Sequence, residues 1–288
     1  MTVVHARAVP APARLRGALR LLALLALLAA VLYPVVWMVG TSLKSPAEVN
    51  NNLSILPAHV TWANYPDGWS ALPDVTFGRF FVNSTLLALA TVLANCASCL
   101  VTAYAFARLR FRLRRLWFAL MIGTLLLPGH VLVIPHYVLF QKLGWIGTPL
   151  PLIVPKLLAT EAFFIFLMVQ FMRGIPAELD EAATMDGCGP YGVFRHVIAP
   201  LSRPAIVTTA IFSFIWTWND FFTQLVYIND SASYTVPIGL RTFMDSGGQN
   251  AIGPMFAMSA LSLLPVFLFF LAFQKMLVEG INTSGLKG

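Results

Sequence analysis

The chain has 288 residues, of which 58% are hydrophobic and 11% charged, and its mean hydropathy is +0.76. Ordinary soluble domains carry about 25% charged residues, so this composition excludes a soluble globular class and points to an integral membrane protein. The net charge of +7 suggests nucleic acid only until the placement of the basic residues is considered, and three cysteines are too few for a disulfide framework.

Residues 1–20 form a basic tail with Arg7, Arg14, Arg16 and Arg20. Leu21 to Gly40 is an uncharged run of 20 residues. It is long enough to cross a hydrocarbon core of about 30 Å, and longer than the apolar region of a signal peptide. Residues 41–79 are a polar connection. The second predicted span covers 80–107 and ends in a basic loop, Arg108 to Arg115. The third, 116–140, contains Pro128-Gly129 and Pro135, which predict a kink. The fourth, 151–172, carries Glu161. An acidic insert at 173–204 leads to a fifth span at 205–228. A polar loop at 229–254 follows, then a sixth span at 255–278 with Pro265 inside it and a tail at 279–288.

Six spans predict an all-α membrane protein with both termini on one side. Fourteen of the 19 Lys and Arg residues fall on that side. The positive-inside rule therefore places the termini and the 173–204 insert in the cytoplasm, which accounts for the net charge without nucleic acid.

The insert concentrates Glu178, Asp180, Glu181 and Asp186. Pro176 suits a first helical position, the carboxylates suit the positive end of a helix, and Gly187 suits the residue just past its end. These signals predict a helix of about nine residues, or about 13 Å, too short to be stable without a docking partner. Leu179, Ala182, Ala183 and Asp186 give it a nearly flat side.

Two spans carry polar stripes at helical spacing. One is Ser84, Thr91, Asn95, Ser98 and Thr102. The other is Thr209, Ser213, Thr217, Asp220, Gln224 and Tyr227. Polar groups are costly against lipid, so both stripes should face the bundle interior, another subunit or a wet cavity. Helix-to-helix packing and a solute path remain open for each, with the carboxylate and amide of the fifth span favouring the path. The path candidates are Ser213, Thr217, Asn219, Asp220, Gln224, Tyr227, Asn95 and Ser98. Trp216 and Trp218 could stack on a sugar or serve as core aromatics. His130 and His136 lack the spacing of a metal pair, so no metal site is expected. No phosphate-binding loop or nucleophile motif occurs, and any ATPase must be another chain.

The insert then supplies a specific resemblance. Glu181-Ala182-Ala183, Gly187 four residues after Ala183, and Val197 to Pro200 ten further on resemble the cytoplasmic loop of ABC importer permeases. That loop reads E-A-A, three residues, G, nine residues, then I-x-L-P; Val197 and Ala199 depart from it but stay apolar. Asn83-Ser84, the run from Tyr104 to Arg108, Trp218-Asn219-Asp220 and the terminal Gly285 to Gly288 resemble the carbohydrate-uptake, maltose-transporter branch.

The resemblance implies a type I ABC importer permease fold in a bacterial plasma membrane. Its implied partners are a homologous second permease, a dimer of ATP-binding cassette ATPases that hold ATP and Mg, and an extracytoplasmic solute-binding protein. No cofactor is expected in this chain. The short helix would be the coupling helix on the ATPase, through Glu178, Leu179, Glu181, Ala182, Ala183, Asp186 and Gly187, with the fourth and fifth spans rocking as it moves. The alternative is an ion-coupled secondary transporter using Asp220 and Glu161.

Overall fold

The computed structural model describes residues 11–51, 54–72, 75–245 and 251–284. The first half of the predicted N-terminal tail and the terminal Gly285 to Gly288 motif lie outside these residues. Two compact units divide the chain: Met1–Gly68 with Ser246–Leu261, and Trp69–Asp245 with Ser262–Gly288.

Helix α1 runs from Ala11 to Ser42, so it reaches back into the predicted tail. Ala, Leu and Arg dominate that stretch, and all are strong helix formers. The connection after it is less irregular than its composition suggests, containing α2 (Pro46–Asn51) and α3 (Asn64–Trp69). Buried Asn64 holds the first unit together by donating to Ser42 O at 2.8 Å and Lys44 O at 2.7 Å. Lys44 is itself 1% exposed and donates to Ser54 O at 2.5 Å. Gly253 comes so close that a Cβ there would lie 2.4 Å from Asn64 Oδ1. Trp37 meets Phe256 edge-on at 5.2 Å.

The second unit is built around α4 (Phe77–Arg108), 32 residues without a Pro or an internal Gly after Gly78. Its partners are shorter, each interrupted along its length. Helices α5 (Arg114–Thr124) and α6 (Val133–Lys142), with a tight turn at Gly129–Leu132 between them, replace the third span and bend by 96°. Pro128, in an extended conformation, opens that turn. Pro135 sits in the first turn of α6, where its missing N–H costs little.

The fourth span is interrupted too. Helix α7 (Leu150–Leu157) ends before α8 (Ala162–Arg173), with Ala159 in the left-handed region at φ 57°. Helix α9 (Glu178–Met185) is the acidic helix of the insert. The rest of the insert is helical as well: α10 (Pro190–Val193), a wide five-residue turn at Phe194–Ile198, and α11 (Ala199–Leu201). This stretch meets α12 (Arg203–Asn219) at 69°. The fifth span is then broken again before α13 (Phe222–Tyr227). The polar 229–254 loop contains α14 (Val236–Asp245), and α15 (Ile252–Ser284) is continuous through Pro265.

Among the described residues, four stretches are long and apolar enough to cross a bilayer: Gly17–Ser42, Phe77–Arg108, Leu150–Arg173 and Ile252–Met276. Counting each bent pair as one crossing raises this to six. Apolar burial in the second unit centres on α4 and α8, where Cys99, Phe164, Ile165, Met168, Val169 and Met172 are almost fully enclosed.

Candidate functional site: a clamped acidic helix

Helix α9 starts two residues later than its Pro176 signal suggests, with Ala177 as the N-cap and Pro176 outside. Its other end is closed by Gly187 at φ 87°. Gly187 N–H donates to Thr184 O at 3.0 Å, and Cys188 N–H reaches back to Ala183 O at 2.9 Å. These two bonds form a Schellman closure, which needs a left-handed residue at Gly187 and satisfies two otherwise orphaned carbonyls. The closure also turns Cys188 and Ala183 into one apolar cluster with Val193, Ile198, Met168 and Met172.

The two faces of α9 therefore differ. Ala183, 9% exposed, and partly buried Asp180 face the protein. Glu178, Leu179, Glu181, Ala182, Asp186 and Gly187 are exposed, with Met185 88% exposed beside them. Of the residues grouped for docking, Ala183 is the buried one. Its methyl is used within the chain, because the Schellman turn folds Cys188 back over that side.

The last turns of α4 hold both flanks of α9. Arg108 Nη2 donates to Ile175 O at 2.7 Å, just before the helix, and Arg108 Nε lies 3.1 Å from Asp180 Oδ2 within it. Four residues earlier on the same face, Tyr104 Oη donates to Pro190 O at 2.8 Å, just after the helix, and its ring meets Phe194 at 5.0 Å. The Arg108–Asp180 contact is an ion pair rather than an aligned hydrogen bond: Nε–H and Asp180 Oδ1 are buried with no hydrogen-bond partner. In the sequence Arg108 opens a basic loop, and Asp180 is not among the docking residues that the loop pattern marks. The available signal was the i, i+4 pair of Tyr104 and Arg108 at the end of an apolar span.

The polar stripes of α4 and α12 meet each other. Thr91 and Thr217 hydroxyls lie 2.9 Å apart, and Asn95 Nδ2 donates to Ser213 Oγ at 2.8 Å. Asn95 and Ser213 are each 2% exposed, an arrangement of interhelical packing rather than of an open wall. Ser98 Oγ instead donates to Lys156 O at 2.6 Å, on α7. The fifth-span stripe does not continue as one helical face, because α12 stops at Asn219. Asp220 accepts Thr223 N–H at 3.1 Å and the Thr223 hydroxyl, tying down a free N–H in the first turn of α13. Gln224, 1% exposed, donates to Thr217 O at 2.8 Å across the break and accepts from Thr235. Tyr227 is buried in a second apolar cluster with Phe140 and Leu87, leaving Asn219 as the exposed member of the set. Trp218 is a core residue, stacked on Phe214 at 5.7 Å and donating Nε1–H to Ser262 O at 3.1 Å. Trp216 is 46% exposed.

The site is thus an amphipathic acidic helix clamped to the end of one apolar span, beside broken spans. Residues 97–283 match the sequence pattern of the binding-protein-dependent transport system inner membrane component. The chain belongs to this family. It is a permease subunit of an ABC transport system. Among its relatives, the probable ABC transporter permease YurM of Bacillus subtilis is 31% identical, over 91% of this chain and 85% of that one. The trehalose/maltose transport permease MalG of Thermococcus litoralis is 31% identical over 89% and 92%, respectively. The diacetylchitobiose uptake permease NgcG of Streptomyces coelicolor is 27% identical over 88% and 83%. The fold is shared with a chain of a bacterial ABC transporter that imports the acidic polysaccharide alginate. That likeness has a TM-score of 0.81 at 22% identity and covers 94% of this chain and 99% of the other. Nothing in the family or these relatives supports the ion-coupled alternative.

Proposed function

We propose that this permease works in a bacterial plasma membrane as half of a carbohydrate importer, with α9 as the coupling helix. Its exposed face, Glu178, Leu179, Glu181, Ala182, Asp186 and Gly187, seats on one subunit of an ATPase dimer that holds ATP and Mg. A homologous permease completes the membrane pore, and an extracytoplasmic solute-binding protein delivers the solute. Relatives named for trehalose/maltose and diacetylchitobiose uptake support a sugar as cargo. The lopsided distribution of Lys and Arg supports cytoplasmic termini and a cytoplasmic α9.

The observation that carries this reading is the clamp: α9 is held at both flanks by Arg108 and Tyr104 of α4. When the ATPases close on ATP, α9 is drawn inward and pulls α4 through these contacts. Helix α12 follows through the Thr91–Thr217 and Asn95–Ser213 bonds, and α8 through its shared apolar core with α4. The broken fourth and fifth spans absorb the rotation, and the central path opens to the other side. Asn219, Asp220 and the residues packed behind them border that path.

The test is reconstitution of the four-part transporter in proteoliposomes with labelled trehalose, maltose and diacetylchitobiose. ATP-dependent accumulation of one of them is expected, with Glu181→Lys or Leu179→Asp leaving ATPase activity but losing uptake. Uptake that persists without ATP and collapses with an uncoupler would overturn the assignment.

A further inference from the structure

The interruption between α7 and α8 places an ion pair where an apolar crossing has its middle. Glu161 is the twelfth residue of the 24-residue stretch Leu150–Arg173, near its midpoint along the chain, and the 12-residue helix α8 separates it from the Arg173 end by about 18 Å at 1.5 Å per residue. Lys156 Nζ donates to Glu161 Oε1, and the two side chains are 31% and 25% exposed. Both therefore remain partly open in the folded chain.

The back of the break is closed. Ser98 Oγ donates to Lys156 O at 2.6 Å, Thr160 Oγ1 donates to Pro155 O at 2.9 Å, and the Cys99 thiol lies 3.9 Å from Glu161 O. These bonds satisfy carbonyls freed where the helix stops, and they hold Ala159 in its left-handed conformation at φ 57°. The break is thus a built feature whose packed side is α4 and whose other side carries the two charges.

Irregular backbone at membrane depth is tolerated only inside protein or along a water-filled cavity. A charged side chain at the centre of a bilayer costs about 2.5–3.5 kcal/mol even on insertion scales, so this face does not point at lipid. Immediately beyond Glu161, Phe163 and Phe164 carry Trp216, whose ring lies 5.3 Å and 5.1 Å from theirs and remains 46% exposed. A carboxylate accepts hydroxyl protons, an ammonium donates to hydroxyl oxygens, and an indole face takes the C–H side of a pyranose ring.

We propose that the Lys156–Glu161 pair at the α7–α8 break lines the aqueous path and contacts a neutral polyhydroxylated solute during passage. The pair carries no net charge, so it suits a neutral saccharide better than a uronate. The solute assignment rests on the carbohydrate reading above; the water access does not.

The two parts are separable by experiment. In the complete transporter with Cys96, Cys99 and Cys188 replaced by Ala, Thr160→Cys, which keeps the pair, and Glu161→Cys are treated with membrane-impermeant 2-sulfonatoethyl methanethiosulfonate. Both are expected to label, while Ile165→Cys in the core, at 1% exposure, does not. If N-ethylmaleimide labels both positions and the impermeant reagent labels neither, the pair faces lipid or protein and the proposal fails. For the solute, Glu161→Gln and Lys156→Gln are each expected to raise the uptake KM for the transported sugar about tenfold, the size of a lost charge-assisted hydrogen bond. Labelling with an unchanged KM in both variants would overturn the solute contact. If wild-type uptake of every sugar is absent while labelling occurs, the carbohydrate reading has failed and the water-lined break stands.

Discussion

Replacing Arg108 by Ala should release α9 without unfolding the bundle. The side chain supplies one charge-assisted hydrogen bond, to Ile175 O at 2.7 Å, and one ion contact, to Asp180 Oδ2 at 3.1 Å. A hydrogen bond involving a charged group contributes about 1.5–3 kcal/mol. Asp180 is 23% exposed, so its ion pair adds at most about 1 kcal/mol, and water replaces part of both once the guanidinium is gone. A net loss of about 2 kcal/mol corresponds to about a thirtyfold shift in local opening. Hydrogen exchange should show amides in residues 177–188, including those of Asp186, Gly187 and Cys188, exchanging about thirtyfold faster. The amides of α4 around Cys99 should keep their protection. Asp180→Ala should give a smaller increase, and the double variant should resemble Arg108→Ala, since the two groups act on each other. Arg108→Lys should fall between, because an ammonium cannot serve the carbonyl and the carboxylate with the same planar fork. In the assembled transporter the same variants should hydrolyse more ATP per solute imported. Wild-type exchange in α9 together with a wild-type ratio of ATP to solute in Arg108→Ala would refute the clamp.

Gly187→Ala should destabilise the closure of α9 by about 1–2 kcal/mol through left-handed strain alone, since a Cβ there meets open space. Gly187→Asn should cost less, and exchange at Cys188 N–H reads the difference. At Asp220, Asn keeps the acceptor for Thr223 N–H whereas Ala loses it at about 1 kcal/mol, so Asp220→Asn should retain uptake better than Asp220→Ala. An inactive but folded Asp220→Asn would show that the charge itself is used. Gly239→Ala would place a Cβ 2.2 Å from Cδ2 of fully buried Phe80, costing about 1–3 kcal/mol by overpacking. Its Tm in detergent should fall, and an unchanged Tm would mean that α14 shifts freely.

Breaks in the crossings were legible where a residue carries the cause. Pro128-Gly129 marks the turn between α5 and α6 because the ring and the missing Cβ act locally. Gly187 marks the end of α9 for the same reason. Neither Ala159 nor Asn219 carries such a mark. Ala159 is held left-handed by bonds from Ser98, on α4, and Thr160 to carbonyls of α7, and α12 ends at Asn219 because Asp220 and Gln224 find partners across the gap. Helix α14 was hidden for another reason: its polar residues resemble loop, and its apolar side gains meaning only against Phe80 and Phe77 of α4.

The candidate site divides in the same way. The acidic helix, its closure by Gly187 and its resemblance to a permease loop lie within a short run of sequence. Which of its residues face outward was decided by the Cys188 turn, which draws Ala183 into the core. The Arg108–Ile175 contact joins residues 67 positions apart, and the Thr91–Thr217 contact residues 126 apart. By itself, then, the sequence determined that the chain is helical, membrane-embedded and punctuated at particular prolines and glycines, because hydropathy and backbone restriction are properties of each residue in place. The pairing of the polar stripes, the clamp on α9 and the open ion pair at the α7–α8 break were decided only by tertiary structure, since hydrogen bonds and ion pairs depend on which distant groups the packing brings within about 3 Å.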